Sequence, residues 1–201
     1  MVMSINPKLA VCGLSVVIIS SFLTACAASE TEPVAPVSSK VATTPTSQST
    51  SLPVEEGIVG VNTGMDCSTL ISNEDLYNYN PSYSLDLSFS PQPGSLAKLA
   101  TDYKGISCTY INLSSGDSFT ISLAKFDSES FDAFKQNREA ESSQISSDSI
   151  SSPFVGLFVS GSSGGTLEIL GNGYWLSASA PWAQTPEDLL KPLSNALTKL
   201  N

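Results

Sequence analysis

Thr166-Leu167-Glu168-Ile169-Leu170-Gly171-Asn172-Gly173-Tyr174-Trp175-Leu176-Ser177-Ala178-Ser179-Ala180 decides the architecture of this chain. Residues 166–170 and 173–180 alternate in polarity on either side of Asn172-Gly173. That dipeptide favours the two-residue turn whose twist matches antiparallel strands, so the stretch predicts a β-hairpin. Residues 153–160 read as a third strand beside it. A second hairpin is expected upstream, where residues 106–112 and 117–125 alternate around a turn containing Gly116.

Helix signals fill the space between these strands. Ser95 can cap a short helix carrying Leu96 and Leu99, stopped by Gly105. Asp127 can cap a longer one running to about Gln144, with Phe126 and Phe131 placed as a hydrophobic staple. Phe131 and Phe134 should face inward, and Lys135, Arg138 and Glu139 outward. Thr185 and Pro186 open a terminal helix on which Leu189, Leu193, Ala196, Leu197 and Leu200 recur at helical spacing. Pro192 lies inside that pattern and should kink the helix or delay its start. The order is helix, helix, hairpin, helix, three strands, helix. It predicts an α+β domain, an antiparallel sheet with helices packed on it.

The first part of the chain follows a different logic. Leu23-Thr24-Ala25-Cys26 closes an uncharged apolar run that starts just after Lys8. A short basic start, an apolar stretch and small residues make a secretory signal. The apolar run, residues 9–23, is shorter than the roughly 20 residues needed to span a bilayer. We therefore expect residues 1–25 to be a lipoprotein signal peptide and Cys26 to carry a diacylglyceryl anchor. Two acyl chains suffice for stable attachment, whereas one is marginal. The expected location is the cell membrane, with the protein facing the extracytoplasmic side. Residues 26–56 are rich in Ser, Thr, Pro, Ala and Val with no aromatic residue, the composition of a disordered tether. Residues 57–201 are then the single folded domain.

Charge and cysteines narrow the function. The net charge of −10 becomes −11 when Lys8 leaves with the leader, which disfavours nucleic acid and anionic lipid headgroups as partners. Of four cysteines, Cys12 leaves with the leader and Cys26 is acylated, so Cys67 and Cys108 are left to pair outside the cytoplasm. Their separation in a chain with no histidine favours a structural disulfide over a redox or metal site. Loop-closure entropy puts its contribution at about 4 kcal/mol.

Together with the lipobox and the tether, Asp66-Cys67-Ser68-Thr69-Leu70-Ile71 and Gly105-Ile106-Ser107-Cys108-Thr109-Tyr110 resemble a known group. So do Gly173-Tyr174-Trp175-Leu176 and the closing amphipathic helix. They are similar to the small actinobacterial cell-envelope lipoproteins of unknown function. Members often have Trp where Tyr110 stands. The resemblance implies a two-cysteine α+β domain like the sheet-and-helix domains related to the photosystem II subunit PsbP. It brings no activity and no catalytic residue.

Chemistry-bearing patterns are sparse. Without histidine there is no Ser-His-Asp or Cys-His machinery. No cofactor is expected, because neither a phosphate-binding Gly-rich loop nor a dinucleotide fingerprint is present. Ser95-Leu96-Ala97-Lys98 has the spacing of Ser-Lys chemistry, but Ser95 reads better as a cap. Residues 161–165, Gly-Ser-Ser-Gly-Gly, read as a hairpin loop rather than an anion nest. Asp86, Asp102, Asp117 and Glu168 read as solvated surface acids rather than a glycoside-cleaving pair. Aromatic side chains are the candidate binding surface: Tyr77 and Tyr79 in an amide-rich loop that also reads as an ordinary helix exit, and Tyr174, Trp175 and Trp182 around a strand exit, where core packing with a loop cover is the favoured reading. Tyr174 and Trp175 must face opposite sides of their strand, one toward the core. The expectation is a non-catalytic lipoprotein that binds an envelope protein or a small ligand. A substrate-capturing component of a transport system and a carboxylate-based hydrolase are the alternatives.

Overall fold

The Asn172-Gly173 hairpin forms as expected, with both turn residues at positive φ (53° and 78°) and Gly171 paired with Tyr174. The structure is a computed structural model and describes residues 52–141, 145–146, 150 and 152–201. Residues 1–51, which carry the expected leader, Cys26 and most of the expected tether, lie outside the described residues. Eight strands are described: β1 (Gly60–Val61), β2 (Tyr83–Leu85), β3 (Ile106–Asn112), β4 (Ser118–Phe126), β5 (Ile145–Ser146), β6 (Val155–Gly161), β7 (Gly164–Gly171) and β8 (Tyr174–Ala180). The helices are α1 (Cys67–Leu70), α2 (Asn73–Tyr79), α3 (Leu96–Asp102), α4 (Ser128–Glu141) and α5 (Pro186–Thr198). The strands form one antiparallel sheet in the order β2-β3-β4-β8-β7-β6-β5, and β1 pairs with the far end of β4. This is the α+β fold read from the sequence. The very short strands β1, β2 and β5 were not.

Alternation along the strands sends side chains to two faces. On the first face, Tyr110, Phe119, Ile121, Leu123 and Leu176 pack against Leu70, Leu76, Leu189 and Leu193 from α1, α2 and α5. On the second, Ala124, Phe126, Leu170 and Trp175 pack against Leu99, Ala100 and Phe134 from α3 and α4. Each large apolar side chain buried in this way contributes about 1.5–3 kcal/mol. The Cys67–Cys108 disulfide is formed and ties α1 to β3 on the first face.

The caps are made by the expected residues. Ser95 Oγ accepts from Lys98 N at 3.1 Å, and Asp127 Oδ1 from Ser130 N at 2.9 Å. Thr185 N donates to the Asp188 carboxylate at 2.9 Å. Pro192 does not delay the start of α5, which opens at Pro186 and runs through it with Leu189, Pro192, Leu193 and Ala196 all buried. At the end of α3 the left-handed residue is Lys104 (φ 61°), not Gly105. Gly105 N donates to Ala100 O at 2.9 Å and closes a Schellman turn. Glycine is needed there for close approach: a Cβ would sit 2.0 Å from Leu123 O.

Two further expectations are corrected. Residues 52–56, read as tether, are held against the domain: Leu52 packs against the second-face core, and Glu55 N donates to Tyr103 Oη at 3.0 Å. Arg138, expected to face solvent, turns inward to Glu168. The last residues of the helix expected to reach Gln144 lie outside the described residues.

Candidate functional site

Four neighbouring strands carry hydroxyls at alternate positions on the second face. They are Ser107 and Thr109 on β3, Thr120 and Ser122 on β4, Ser177 and Ser179 on β8, and Thr166 on β7. Strand register aligns them in two rows: Thr109-Thr120-Ser179-Thr166, and Ser107-Ser122-Ser177-Glu168. Neighbours within a row are one strand spacing apart, about 4.8 Å. Two pairs close directly, Ser107 with Ser122 at 2.8 Å and Thr109 with Thr120 at 2.7 Å.

The helices α3 and α4 cover only one end of this face. Over the hydroxyl rows lies a cavity of about 290 Å³. Its floor is Thr120, Ser122, Thr166, Ser177 and Ser179, and its wall is Phe89, Gln92, Ser95, Leu96 and Ala97. None of these side chains ionises. Exposure grades across the floor: Ser179 is exposed, whereas Ser177 keeps 4% of its surface and Ser122 1%. Ser122 is bonded to Ser107, but among the described residues no side-chain hydrogen bond is made by Ser177. A buried hydroxyl without a partner costs about 1–3 kcal/mol relative to a satisfied one.

The second row ends in a buried ion pair. The Glu168 carboxylate, 3% exposed, accepts from Arg138 Nε at 2.9 Å, Arg138 Nη2 at 2.6 Å and Trp175 Nε1 at 2.8 Å. Burial works against the Arg138 charge, and the Glu168 carboxylate outweighs it, holding the guanidinium above its ordinary pKa. The expectation that Glu168 is a solvated surface acid is therefore corrected: opposite charge and an indole N–H satisfy it inside. Asp102 pairs with Lys98, and Asp86 and Asp117 accept from the nearby Ser88 and Ser115. None of these four acids lines the cavity.

Serine chemistry finds no partner in this site. Ser122-Leu123-Ala124-Lys125 has Ser-x-x-Lys spacing, but strand alternation puts Lys125 on the opposite face, 5.0 Å from the Tyr174 ring centroid. Lys98 is held by Asp102 while Ser95 Oγ donates to Gln92 O at 2.6 Å. Gly161-Ser162-Ser163-Gly164-Gly165 fits the Gly-x-Ser-x-Gly spacing, yet it turns one strand into the next. A nucleophile elbow requires a strand-to-helix turn.

The aromatic surface expected from the sequence does not assemble. Trp175 is fully buried against Phe134, at 4.9 Å between ring centroids, because its strand position faces the covered end of the second face. Tyr79 and Trp182 do come together, around Phe119 on the first face, at 6.0 and 6.5 Å. They complete the core, and Trp182 Nε1 donates to Ser118 O at 3.1 Å. Tyr174 is half-buried under Lys125. Tyr77 alone is open, at 68% exposure, beside the β2 edge and the exposed Leu87.

No family model, curated protein or solved structure matches this chain. Its fold and its cavity are therefore interpreted from their own chemistry. Sequence reasoning passed over the hydroxyl floor, although its signal was present: β3 and β8 each place two Ser or Thr at alternating positions, β4 places three and β7 one.

Proposed function

We propose that this chain is a lipid-anchored cell-envelope protein whose domain holds a small uncharged ligand without catalysing its reaction. The observation that carries the binding role is the cavity over the second face, with hydroxyls beneath, Phe89 and Leu96 beside, and no ionisable lining group among the described residues. Hydroxyls without an acid, base or activated nucleophile suit recognition better than bond cleavage. The position of Asp86, Asp102, Asp117 and Glu168 away from the lining favours binding over a carboxylate-based hydrolase. The anchor rests on Leu23-Thr24-Ala25-Cys26 and the apolar run before it. Likeness to the actinobacterial lipoproteins and to PsbP-related domains belongs to the same proposal. A role in capturing substrate for a transport system is compatible with it.

Fractionation tests the anchor. Wild-type protein should sediment with membranes and Cys26→Ala should be released; a membrane-bound variant would sink the lipidation claim. Native mass spectrometry of the full chain, extracted from its own cells, tests the binding role. A small non-covalent adduct is expected, lost when Thr120→Val and Ser177→Val line the floor with methyl groups. Adduct retention in that double variant would place the ligand elsewhere. A protein partner is the second reading, favoured by Tyr77 and Leu87 (90% exposed) flanking the open β2 edge.

A further inference from the structure

We infer that the cavity on the second face is a site for a neutral sugar ring, an assignment that rests on the binding role just proposed. Three observations converge. The floor offers five hydroxyls from three strands, spread in two directions rather than along one line. Each hydroxyl can donate or accept, so the floor matches a ligand that itself carries several groups able to do both. A ring with hydroxyls around its rim engages such a grid at many points. A single amide would use only two or three of its members.

The wall supplies the second half of sugar recognition. Phe89, Leu96 and Ala97 are apolar and half-buried or buried, a surface for the C–H face of a ring. Gln92 adds an exposed amide at the mouth. At about 290 Å³ the space lies near the bottom of the ordinary range for ligand pockets, enough for a small ring system.

Charge sets the third limit. An ion entering this lining would give up hydration with no opposite charge to meet it. An anion would also face a protein of net charge −10. Ser177 identifies the deep end. Its hydroxyl is buried, lines the cavity and has no side-chain hydrogen bond among the described residues. A ligand hydroxyl seated above it would complete that missing bond.

The full chain, purified in a detergent without a sugar headgroup, is the material for the test. Glucose, galactose and mannose serve as neutral probes. Glucuronate and glucosamine are their charged counterparts, and N-acetylglycinamide is a neutral amide without hydroxyls. Backbone amide shifts are followed by NMR. At least one neutral sugar should move Ser122, Ser177 and Ser179 saturably, with both charged sugars at least tenfold weaker. Ser177→Ala should weaken that binding about three- to tenfold, the worth of one hydrogen bond. Its spectrum away from the cavity should match wild type.

Failure of all three neutral sugars to move these amides overturns the assignment. Shifts from N-acetylglycinamide alone would overturn the sugar class while leaving the binding role standing. Equal binding of glucuronate would overturn the argument from charge. If, in addition, native mass spectrometry finds no adduct, the binding role falls as well.

Discussion

The two faces of the sheet are built from the same strands and closed by opposite means. The first face presents Phe119, Ile121, Leu123 and Leu176 to three helices and is tied by the Cys67–Cys108 bond. The second face is closed at one end by Trp175, Phe134 and the Arg138–Glu168 pair, and left uncovered over hydroxyls at the other. The apolar stretch of the first face, covered by helices, is core. A face that changes from apolar to hydroxyl along β4 and β8 holds a packed support and a polar cavity side by side. The site is a boundary: the ion pair marks where packing stops and the hydroxyl rows begin.

The largest test attacks that boundary. Arg138→Met leaves Glu168 buried without its cation, and loss of one partner of such a pair costs about 3–5 kcal/mol. Urea unfolding of the full chain should show that loss. Arg138→Met combined with Glu168→Leu should recover most of it, since a buried pair replaced by apolar side chains is often neutral. A single variant as stable as wild type would mean the boundary is not held by this pair.

The next test addresses the first face. Replacing both Cys67 and Cys108 by Ala removes a cross-link closing a 41-residue separation and should cost about 2–4 kcal/mol. The protein should unfold at lower urea, with the amide signals of the hydroxyl floor unchanged before the transition. Disturbed signals at Ser177 and Ser179 would show the two faces to be coupled.

Acid provides a finer probe of the same face, where Asp75 joins α2 to α5. Hydrogen bonds from Ser72, with Lys199 and Asn195, lower its pKa to about 2 against partial burial. Lys199 Nζ lies 3.2 Å and Asn195 Nδ2 2.6 Å from its carboxylate. A depressed pKa contributes stability that is fully present above the unfolded value near 3.9. That contribution is lost as pH falls from there through about 2. Asp75→Asn keeps an acceptor for Ser72 N but removes the charge facing Lys199, and should cost about 1–2 kcal/mol at neutral pH. It should also flatten the stability profile between pH 4 and 2. An unchanged acid limb would assign that limb to other carboxylates.

How much of this was legible beforehand follows from the range of each signal. The Asn172-Gly173 turn, the Ser95 and Asp127 caps and the α5 periodicity are local, and they were read correctly. The disulfide followed from counting. Arg138 and Glu168 lie 30 residues apart, and nothing near either one announces the other. Alternating Ser and Thr are what any solvated strand face shows. Only the placement of Phe89 and α3 beside them makes a cavity, and that is a tertiary fact. Which of the aromatics are core was open in the sequence for a related reason. Trp175 and Trp182 look exposed beside turns, but the helices cover one and Phe119 packs against the other.

The smallest expected effect separates two serines facing the same cavity. Ser122 shares a 2.8 Å hydrogen bond with Ser107, so Ser122→Ala strands a partner hydroxyl and should destabilise by about 1 kcal/mol. Ser177 has no side-chain partner among the described residues. Ser177→Ala removes a buried polar group that folding leaves unpaired, so stability without ligand should hold or rise by up to about 1 kcal/mol. A residue that weakens binding when changed, yet does not weaken the fold, is there for what it binds. If Ser177→Ala instead destabilises as much as Ser122→Ala, its hydroxyl is satisfied within the fold and the deep end of the cavity loses its claim to a ligand.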